Sequence, residues 1–324
     1  MTAKFKKNGF VAATIALCAT ATLFSCKKEN KSTDTPDGTS TFWEDDYQQN
    51  ALNGKVKTVI EWNDETEISD ECYRKISFDQ NGNKIEDANY KNDRISSGLV
   101  FKHNAQNRIT RCEYYAGNEL DELAEFTYGG TYSHNVYIPS NLFPEDLRLQ
   151  KGITDIVYTD VNKNNQKVIS KLESIAVNKD QLTYTFAGGG GMGYIHIMTN
   201  GNYPSKIDGE NLKREKETFV EVTFNSNGIP AAVYYFAKDN VTIFEYIVKG
   251  GFMTLTSETS KTISTGEIQY RYQYTYNEHG YLESEQSSSG KTDYYTYEYD
   301  DKGNWTKQFK NDNLNLIREY TYWE

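Results

Sequence analysis

Basic residues are in deficit in this chain. Lysine and arginine together number 35 against 46 aspartates and glutamates, so the formal net charge is −11. Nucleic-acid binding requires a basic face that neutralises phosphates, and we therefore expect no nucleic-acid partner. A surplus of acidic side chains is typical of a solvated protein surface.

Motifs for metal ions, cofactors and nucleophilic catalysis are also missing. The four histidines are far apart in the sequence and form no His-x-x-Glu-His group, and no paired Cys-x-x-Cys occurs. The glycines at 188–191 are not followed by the Lys-Ser/Thr pair of a phosphate loop, and no Gly-x-Ser-x-Gly elbow is present. We expect neither a metal ion nor a cofactor. The histidines are His103, His134, His196 and His279.

Proline and apolar residues are both scarce. Proline occurs 5 times, whereas tyrosine occurs 26 times and aromatics make up 14% of the chain. Aromatic residues favour strands, and abundant Asn, Asp, Gly and Ser favour tight turns. With 37% hydrophobic residues and a mean hydropathy of −0.76, we expect a sheet with much of its area in water on one face.

The N-terminus contains an apolar segment that is too short to span a bilayer. Residues 10–23 form a run of 14, whereas a spanning helix needs about 20 apolar residues. The run follows the basic stretch of residues 1–8, and its length is that of a signal-peptide core. It predicts export from the cytoplasm.

The sequence Leu23-Phe24-Ser25-Cys26 resembles the lipobox of bacterial lipoprotein precursors. In that motif a small residue precedes the cysteine, and the cysteine sulfur receives a diacylglyceryl group. Ser25 meets this requirement, whereas Cys18 follows Leu17 and does not. The resemblance implies a lipidated Cys26 and a location at the outer membrane, facing the periplasm or the cell surface. Acyl chains would hold it there at about 0.8 kcal/mol per buried CH₂.

These features divide the chain into three parts. Residues 1–25 are a predicted signal peptide, and residues 26–41 are polar and read as a flexible tether. We expect residues 42–324 to form one domain. Two other cysteines remain, Cys72 and Cys112, and they fall three strands apart in the strand pattern below. Since a disulfide needs Cα atoms within about 7 Å, we expect no bond, unless closure of a barrel or a misplaced strand brings them together.

Alternating tyrosines dominate the C-terminal part of the chain. Segments 270–276, 294–299 and 320–322 place tyrosine at every second position, which is the period of a strand with one aromatic face. Each of the first two ends in Asn-x-x-Gly or Asp-x-x-Gly. Asn277 and Asp300 can cap their own backbone, and Gly280 and Gly303 can adopt the positive φ that closes such a turn.

This hairpin unit recurs along the chain. Turn closures fall at residues 82 and 107 and again at 280 and 303, so the spacing within each pair is 25 or 23 residues, and a further closure falls at 228. Strand-like runs at 152–158, 167–177, 181–186 and 194–198 indicate degenerate units in the middle. Capping signals also predict short helices at 42–52 and at 144–149. The pattern predicts an all-β antiparallel meander of repeated hairpins, curved strongly into an open or closed barrel-like body.

The two C-terminal turns resemble a known repeat. Residues 274–282 (YTYNEHGYL) and 297–305 (YEYDDKGNW) look like the YD repeat of RHS-type proteins. Together with the lipobox and the segment 52–59 (LNGKVKTV), they resemble Bacteroidetes lipoproteins with a domain of unknown function and a porin-like fold. That family implies a lipoprotein of the periplasm or cell surface and supplies no catalytic residue.

The aromatic faces are the feature with binding potential. We expect a non-enzymatic, lipid-anchored envelope protein that binds a glycan, a peptide or a neighbouring envelope protein, because flat aromatic rings offer a large contact area with few rotatable bonds. The alternatives are that these rings form a core in a purely structural spacer, or that paired carboxylates such as Glu283 and Glu285 serve a glycan-degrading hydrolase. The candidate ligand-binding residues are Tyr272, Tyr274, Tyr295, Tyr297 and Trp305.

Overall fold

The computed structural model describes most of the chain beyond residue 51. The described residues are 52–63, 72–130, 136–137, 148–149, 152–161, 167–178, 181–188, 192–201, 203–226, 228, 230–249 and 252–324. The predicted signal peptide, Cys26, the tether and nearly all of the first predicted helix lie outside them.

Twenty-two strands follow one another along the described residues. They are β1 (Val56–Asn63), β2 (Cys72–Phe78), β3 (Lys84–Lys91), β4 (Arg94–His103), β5 (Ile109–Ala116), β6 (Glu119–Tyr128), β7 (Val136–Tyr137), β8 (Arg148–Leu149), β9 (Ile153–Asp160), β10 (Lys167–Asn178), β11 (Gln181–Gly188), β12 (Met192–Asn200), β13 (Tyr203–Asn211), β14 (Lys216–Phe224), β15 (Pro230–Tyr235), β16 (Asn240–Lys249), β17 (Phe252–Thr262), β18 (Ile268–Tyr276), β19 (Leu282–Ser287), β20 (Thr292–Tyr299), β21 (Trp305–Lys310) and β22 (Asn313–Tyr322).

Twenty of these strands form one antiparallel sheet that closes on itself. Each strand pairs with the next along the chain, β6 pairs with β9, and β1 pairs with both β2 and β22. The predicted antiparallel meander is confirmed, and of the two forms left open it is the closed barrel. The short pair β7–β8 is separate from this sheet, and β7 lies against β13.

The closure between β1 and β22 is reinforced by side chains. Thr58 is opposite Thr321, and their hydroxyls are hydrogen-bonded. Just before β1, the Asn53 backbone N–H donates to Asn304 Oδ1 at 2.6 Å, and Asn304 Nδ2 donates back to the Asn53 carbonyl at 2.9 Å. Asn304 is completely buried. The start of the barrel is therefore attached to the last turn of the repeat.

One face of the sheet is buried around the whole barrel. In β18 and β20 the side chains alternate between exposed and buried or half-buried positions. Partners directly opposite each other share a face, and tracing these pairs from strand to strand leads from the tyrosines of β18 around to the apolar core of β4–β15. Because the outside of a closed barrel faces solvent, this buried face is the inner one.

The inner face has two chemically different halves. From β4 to β15 it is mainly apolar, with Ile156, Phe186, Ile197 and Ile207 fully buried in one cluster. From β16 through β22 to β3 it carries tyrosines and charged side chains, apart from a small apolar cluster of Val56, Val59, Ile76 and Phe78 beside the seam. Only the first half resembles an ordinary hydrophobic core.

The predicted turn chemistry is confirmed. The Gly280 N–H donates to the Asn277 carbonyl, and Asn277 Oδ1 accepts from the backbone N–H groups of residues 279 and 281 at 3.0 Å. Gly280 and Gly303 both have φ of +85°, and Asn107, which replaces glycine in its turn, has φ of +59°. A further turn of this type at Asn211–Arg214 was not predicted, because Arg214 occupies the positive-φ position at +65°.

Of the two predicted short helices, only the end of the second can be compared in full with the structure. Arg148 and Leu149, the end of the second one, form β8 and pair with Tyr137 and Val136, so that end was wrong: pairing with a distant segment overrides the local capping signal. Within the described residues the only helical segment is a three-residue 3-10 helix, Phe236–Lys238. None of the helices described is long and apolar enough to cross a bilayer.

The two cysteines of the body lie where the meander places them. Cys72 is exposed at the start of β2, and Cys112 is buried on β5, three strands away. They are not bonded to each other, as expected. Closure of the barrel does not change this, since it joins β1 to β22 and not β2 to β5.

The closure can be tested by crosslinking. With Thr58→Cys and Thr321→Cys introduced together on a Cys72→Ser background, we expect an oxidant to form a disulfide, because directly opposite strand residues have Cα atoms about 4.5–5.5 Å apart. Peptide mass spectrometry after proteolysis would detect the crosslink. As a control, Thr58→Cys with Thr296→Cys spans three strand spacings, about 14 Å, and should stay unlinked. An open sheet would leave both pairs unlinked.

Candidate binding site on the inner tyrosine face

The five predicted ligand-binding residues all lie on the inner face. Tyr272 and Tyr274 are on β18, Tyr295 and Tyr297 are on β20, and Trp305 begins β21. Strand β19 separates β18 from β20, and it places Glu285 directly opposite Tyr274. The structure therefore brings the predicted residues onto one surface.

These residues differ in how much of each ring is accessible. Trp305 is only 6% exposed; the Arg318 guanidinium lies 3.9 Å from its ring centre, and the Tyr297 ring is 5.9 Å away. Tyr274 is 4% exposed. Tyr272 and Tyr295 are half-buried. A ligand can therefore reach the rings of Tyr272 and Tyr295 more readily than that of Trp305.

The tyrosine hydroxyls form a repeating lattice with a spacing of 23 residues. The Tyr297 hydroxyl donates to the Leu282 carbonyl at 2.8 Å, and 23 residues later the Tyr320 hydroxyl donates to the Trp305 carbonyl at 2.7 Å. The second tyrosine of each unit bonds to the turn of the preceding unit. Tyr299 is hydrogen-bonded to Asn277, and Tyr322 is hydrogen-bonded to Asp300. Each unit is thus tied to the one before it.

The first unit of the repeat breaks this lattice. Tyr274 and Tyr276 occupy the positions that Tyr297 and Tyr299 occupy one unit later. Their hydroxyls are buried and have no hydrogen-bond partner among the described residues. The cause is topological, because the strand that precedes this unit, β17, does not belong to the tyrosine repeat. Burial raises the pKa of both hydroxyls, with Glu285 nearby adding to the effect.

The residue opposite each first tyrosine also differs between the units. Gln308 is opposite Tyr297, and its Nε2 donates to the Tyr297 hydroxyl at 3.3 Å. One unit earlier, Glu285 is opposite Tyr274 and makes no hydrogen bond or ion pair among the described residues. Burial raises the pKa of Glu285, and the carboxylates of Asp293 and Glu258 act in the same direction, whereas the charges of Lys310 and Lys291 oppose the shift.

Two further carboxylates on the inner face belong to this site. Glu258 on β17 is opposite Tyr272, is 7% exposed and accepts a hydrogen bond from Tyr270 at 2.8 Å. Asp293 on β20 is opposite Glu285 and is also 7% exposed. We call Glu258, Glu285 and Asp293 the carboxylate cluster.

Asp293 forms the ion pairs that this cluster makes with lysine. Asn311 Nδ2 donates to Asp293 at 2.9 Å, and the ammonium groups of Lys310 and Lys291 lie 3.0 and 3.2 Å from its oxygens. The hydrogen bond from Asn311, together with those from the lysines, lowers the pKa of Asp293 to about 2. Glu285 has no comparable partner.

Glu283 and Glu285 were expected to act as a pair, but they do not share a face of the sheet. A β-bulge between the pairs Thr275–Ser284 and Tyr276–Leu282 leaves Glu283 as the extra residue of β19. Glu283 is exposed and lies within 3.5 Å of the outward-facing Thr275 hydroxyl, whereas Glu285 points inward. The inward partners of Glu285 are instead carboxylates from other strands.

A second charged network on the inner face lies at the seam. Arg318 on β22 donates to Glu61 on β1 at 2.8 Å, and both side chains are 11% exposed. Arg74 on β2 lies 3.6 Å from Glu61 and forms two hydrogen bonds to Asp87 on β3, at 2.8 and 3.0 Å. Burial opposes ionisation of Asp87, but Lys84 and Arg74 keep its pKa below the usual range. This network satisfies its own charges.

A third polar group lies on the outer face. The Thr185 hydroxyl and His196 Nδ1 are 3.1 Å apart, and His196 Nε2 is 3.1 Å from Glu210, which also pairs with Arg214 at 2.7 Å. The order hydroxyl, imidazole, carboxylate is that of a catalytic triad. However, Thr185 is mid-strand, paired with both Ser174 and His196, so the adjacent backbone N–H groups belong to the sheet and are not available as an oxyanion hole. The group is better suited to linking β11, β12 and β13.

Sequence reasoning found the rings of the site but not its charges. Glu258, Asp293 and Lys310 were not among the predicted residues. The register of the tyrosine hairpins could have revealed these residues. It fixes which residues are opposite each other and therefore which acidic side chain of each strand points inward. Among the described residues no group of three or more His, Cys, Asp or Glu side chains could hold a metal ion.

Comparisons with known proteins give only loose similarities. No protein-family model matches the chain, and no curated protein matches it. Among solved structures, it is similar to porin-like proteins from Bacteroides uniformis (9% identity, TM-score 0.25, 84% of this chain and 99% of that one) and Bacteroides vulgatus (9%, 0.23, 83% and 98%). It is also similar to the Photorhabdus luminescens Tc holotoxin pore (11%, 0.29, 76% and 14%), of whose chain it therefore spans about a seventh.

The charge on Asp293 should make stability depend on pH in a defined window. Its pKa is lowered from 3.8 to about 2 in the folded protein, so its contribution is complete above about pH 4 and is lost as the pH falls towards 2. We expect Asp293→Asn to lower the free energy of unfolding by about 1 kcal/mol near neutral pH, a value reduced because Lys291 is largely exposed.

Denaturant unfolding of both proteins from pH 7 to pH 2 would measure this difference. It should shrink towards zero below pH 4. The exposed turn residue Asp301, changed to Asn, is a matched control that should show little difference at any pH. A difference for Asp293→Asn that stays constant down to pH 2 would contradict the assignment.

Proposed function

We propose that this protein is a lipid-anchored, non-enzymatic protein of the cell envelope that binds a glycan through its inner tyrosine face. The observation that carries the binding proposal is the half-buried pair Tyr272 and Tyr295, one on each side of β19, with Glu285 on the strand between them and Glu258 and Asp293 on the flanking strands. Aromatic rings stack on the apolar faces of sugars, and carboxylates accept hydrogen bonds from sugar hydroxyls.

The envelope location is proposed from the N-terminal sequence. The basic stretch, the apolar run of residues 10–23 and Ser25-Cys26 together support export and lipidation at Cys26. The two C-terminal repeats support membership among the YD-like lipoproteins of Bacteroidetes. The acyl chains would provide the membrane attachment, so the barrel would not need to span a bilayer itself.

Binding would be confined to one part of the tyrosine face. The hydroxyls of Tyr297, Tyr299, Tyr320 and Tyr322 are used within the repeat lattice, which favours a structural role for those rings. Tyr272 and Tyr295 lie outside that lattice. The proposal does not include glycan hydrolysis by Glu283 and Glu285, since the bulge in β19 separates them onto opposite faces.

The anchor can be tested by labelling with a fatty-acid analogue in a Gram-negative host. We expect the wild-type protein and a Cys18→Ala variant to incorporate the label and to fractionate with membranes, because Cys18 is preceded by Leu17 and not by a small residue. A Cys26→Ala variant should incorporate none. Recovery of the mature wild-type protein with an unmodified Cys26 thiol would disprove the anchor.

Adjacent tyrosines on β20 provide a matched test of the binding face. Tyr295 points inward, whereas Tyr294 points outward and is 61% exposed. On a panel of neutral and charged oligosaccharides, we expect Tyr295→Ala to weaken the best ligand about tenfold, which corresponds to roughly 1.4 kcal/mol, and Tyr294→Ala to leave its affinity unchanged. Calorimetry would measure both. Equal losses in the two variants, or no loss in either, would remove the inner face as the site.

A further inference from the structure

The inner face at the start of the tyrosine repeat carries one more negative than positive charge. The carboxylate cluster contributes Glu258, Glu285 and Asp293, and the positive groups beside it are Lys310 and Lys291, both bound to Asp293. Glu258 accepts only the neutral Tyr270 hydroxyl in this surrounding. The negative charge of Glu258 and Glu285 is therefore not balanced locally by a bonded cation.

A buried hydroxyl without a partner faces the same place. Tyr274 is 4% exposed, lies directly opposite Glu285, and its hydroxyl makes no hydrogen bond among the described residues. Leaving such a group unsatisfied costs about 1–3 kcal/mol. The corresponding hydroxyl one unit later, on Tyr297, is fully satisfied by Leu282 and Gln308. Of these two units, only the first therefore has an unsatisfied hydroxyl at this position.

The two glutamates lie on either side of β18. Glu258 is opposite Tyr272, and Glu285 is opposite Tyr274 two residues further along. Strand spacing and rise put their Cα atoms about 12 Å apart, and each side chain extends inward on the same face. This register allows both side chains to extend towards a common group held over the ring of Tyr272.

The chemistry of this place suits an ammonium group. Among the described residues, the carboxylate cluster included, no group of three or more His, Cys, Asp or Glu side chains could hold a metal ion. An ammonium group has three donors, which match two carboxylates and the Tyr274 oxygen, and one positive charge, which matches the local excess. Tyrosine faces also attract cations, by about 0.5–2 kcal/mol.

We infer that Glu258, Glu285 and the Tyr274 hydroxyl bind a protonated primary amine of the ligand, with the ring of Tyr272 beneath it. The inference deepens the proposed function and rests on it: the glycan would carry amino sugars that are not acetylated. A lysine side chain of a peptide has the same chemistry, and the experiment separates the two sources.

Calorimetric titration of the full chain in 150 mM NaCl would test the inference with three probes. They are the trimer of glucosamine, its fully N-acetylated counterpart and trilysine. We expect the glucosamine trimer to bind at least tenfold more tightly than the acetylated trimer. Trilysine binding as tightly, with the same dependence on Glu285, would assign the amine site to a peptide ligand.

The repeat itself supplies the decisive variant. In Glu285→Gln the new amide can donate to the Tyr274 hydroxyl, as Gln308 does to Tyr297. We therefore expect this variant to retain or raise the melting temperature while losing the preference for amines, so that the two trimers bind equally. Tyr274→Phe should reduce the preference severalfold. Glu298→Gln, on the outer face of β20, is the matched control and should keep it unchanged.

The outcomes separate this inference from the function on which it rests. If wild-type protein binds neutral oligosaccharides in a Tyr295-dependent manner but shows no preference for amines, the amine site is overturned and the proposed function stands. If Glu285→Gln keeps the preference, the amine site is likewise overturned. If no oligosaccharide or trilysine binds, both are overturned.

Discussion

The pairing of β1 with β22 is the constraint on which the rest of this structure depends. It joins residues more than 250 positions apart, for which the entropy of loop closure alone is on the order of 5 kcal/mol. The pairing is offset by a full ladder of backbone hydrogen bonds, by the reciprocal bonds of Asn53 with Asn304, and by the small apolar cluster around Val59. Without it, both β1 and β22 would present an open edge.

The seam also needs a fixed register, and the charged network on the inner face provides one. Arg318, Glu61, Arg74 and Asp87 lie on four consecutive strands and each contacts its neighbour. Buried ion pairs add little net stability because of their desolvation cost. A shift by one residue would, however, turn Glu61 outward and leave Arg318 buried without its partner, so the network disfavours a one-residue slip. Its contribution is to specificity of closure.

Much of the fold could be predicted from the sequence because its turns are chemically explicit. Asn277 and Asp300 cap their turns, and Gly280 and Gly303 close them, as their residue types require. Units without that signature were harder to see. The turn ending at Arg214 was missed, since a side chain at positive φ is unfavourable; here two contacts compensate, an ion pair with Glu210 and a 4.8 Å approach to the Tyr194 ring.

Other features were beyond local pattern because they depend on distant partners. Strand alternation alone puts Glu283 and Glu285 on one face, and only the bulge against β18 separates them. In the same way, the turn pattern at 144–149 resembles a helix start until the pairing of Leu149 with Val136 is known. The sequence left an open sheet and a closed barrel as alternatives, because no short segment specifies that the first strand pairs with the last. The charges of the site followed from register and could have been derived.

The interior of this barrel divides its tasks between two chemistries. The apolar half, from β4 to β15, has the fully buried aliphatic side chains that supply most hydrophobic stabilisation. Tyrosine suits the other half because its ring buries apolar area while its hydroxyl can form a hydrogen bond. Charged side chains on this surface stay ionised where they have partners: hydrogen bonds from Asn311 and Lys310 lower the pKa of Asp293 although burial opposes this.

The direction of the tyrosine repeat determines where this surface is incomplete. Each unit uses its hydroxyls to bond to the unit before it, as Tyr320 does to Trp305 and Tyr297 does to Leu282. At the C-terminal end the hydroxyls of Tyr320 and Tyr322 both have partners, because they bond to Trp305 and Asp300 of the preceding unit. At the other end, Tyr274 and Tyr276 face a strand outside the repeat. Because each unit bonds to the one before it, the first unit of the repeat has no partner for its hydroxyls among the described residues. This incomplete position lies beside Glu258 and Glu285, the carboxylates that lack bonded cations.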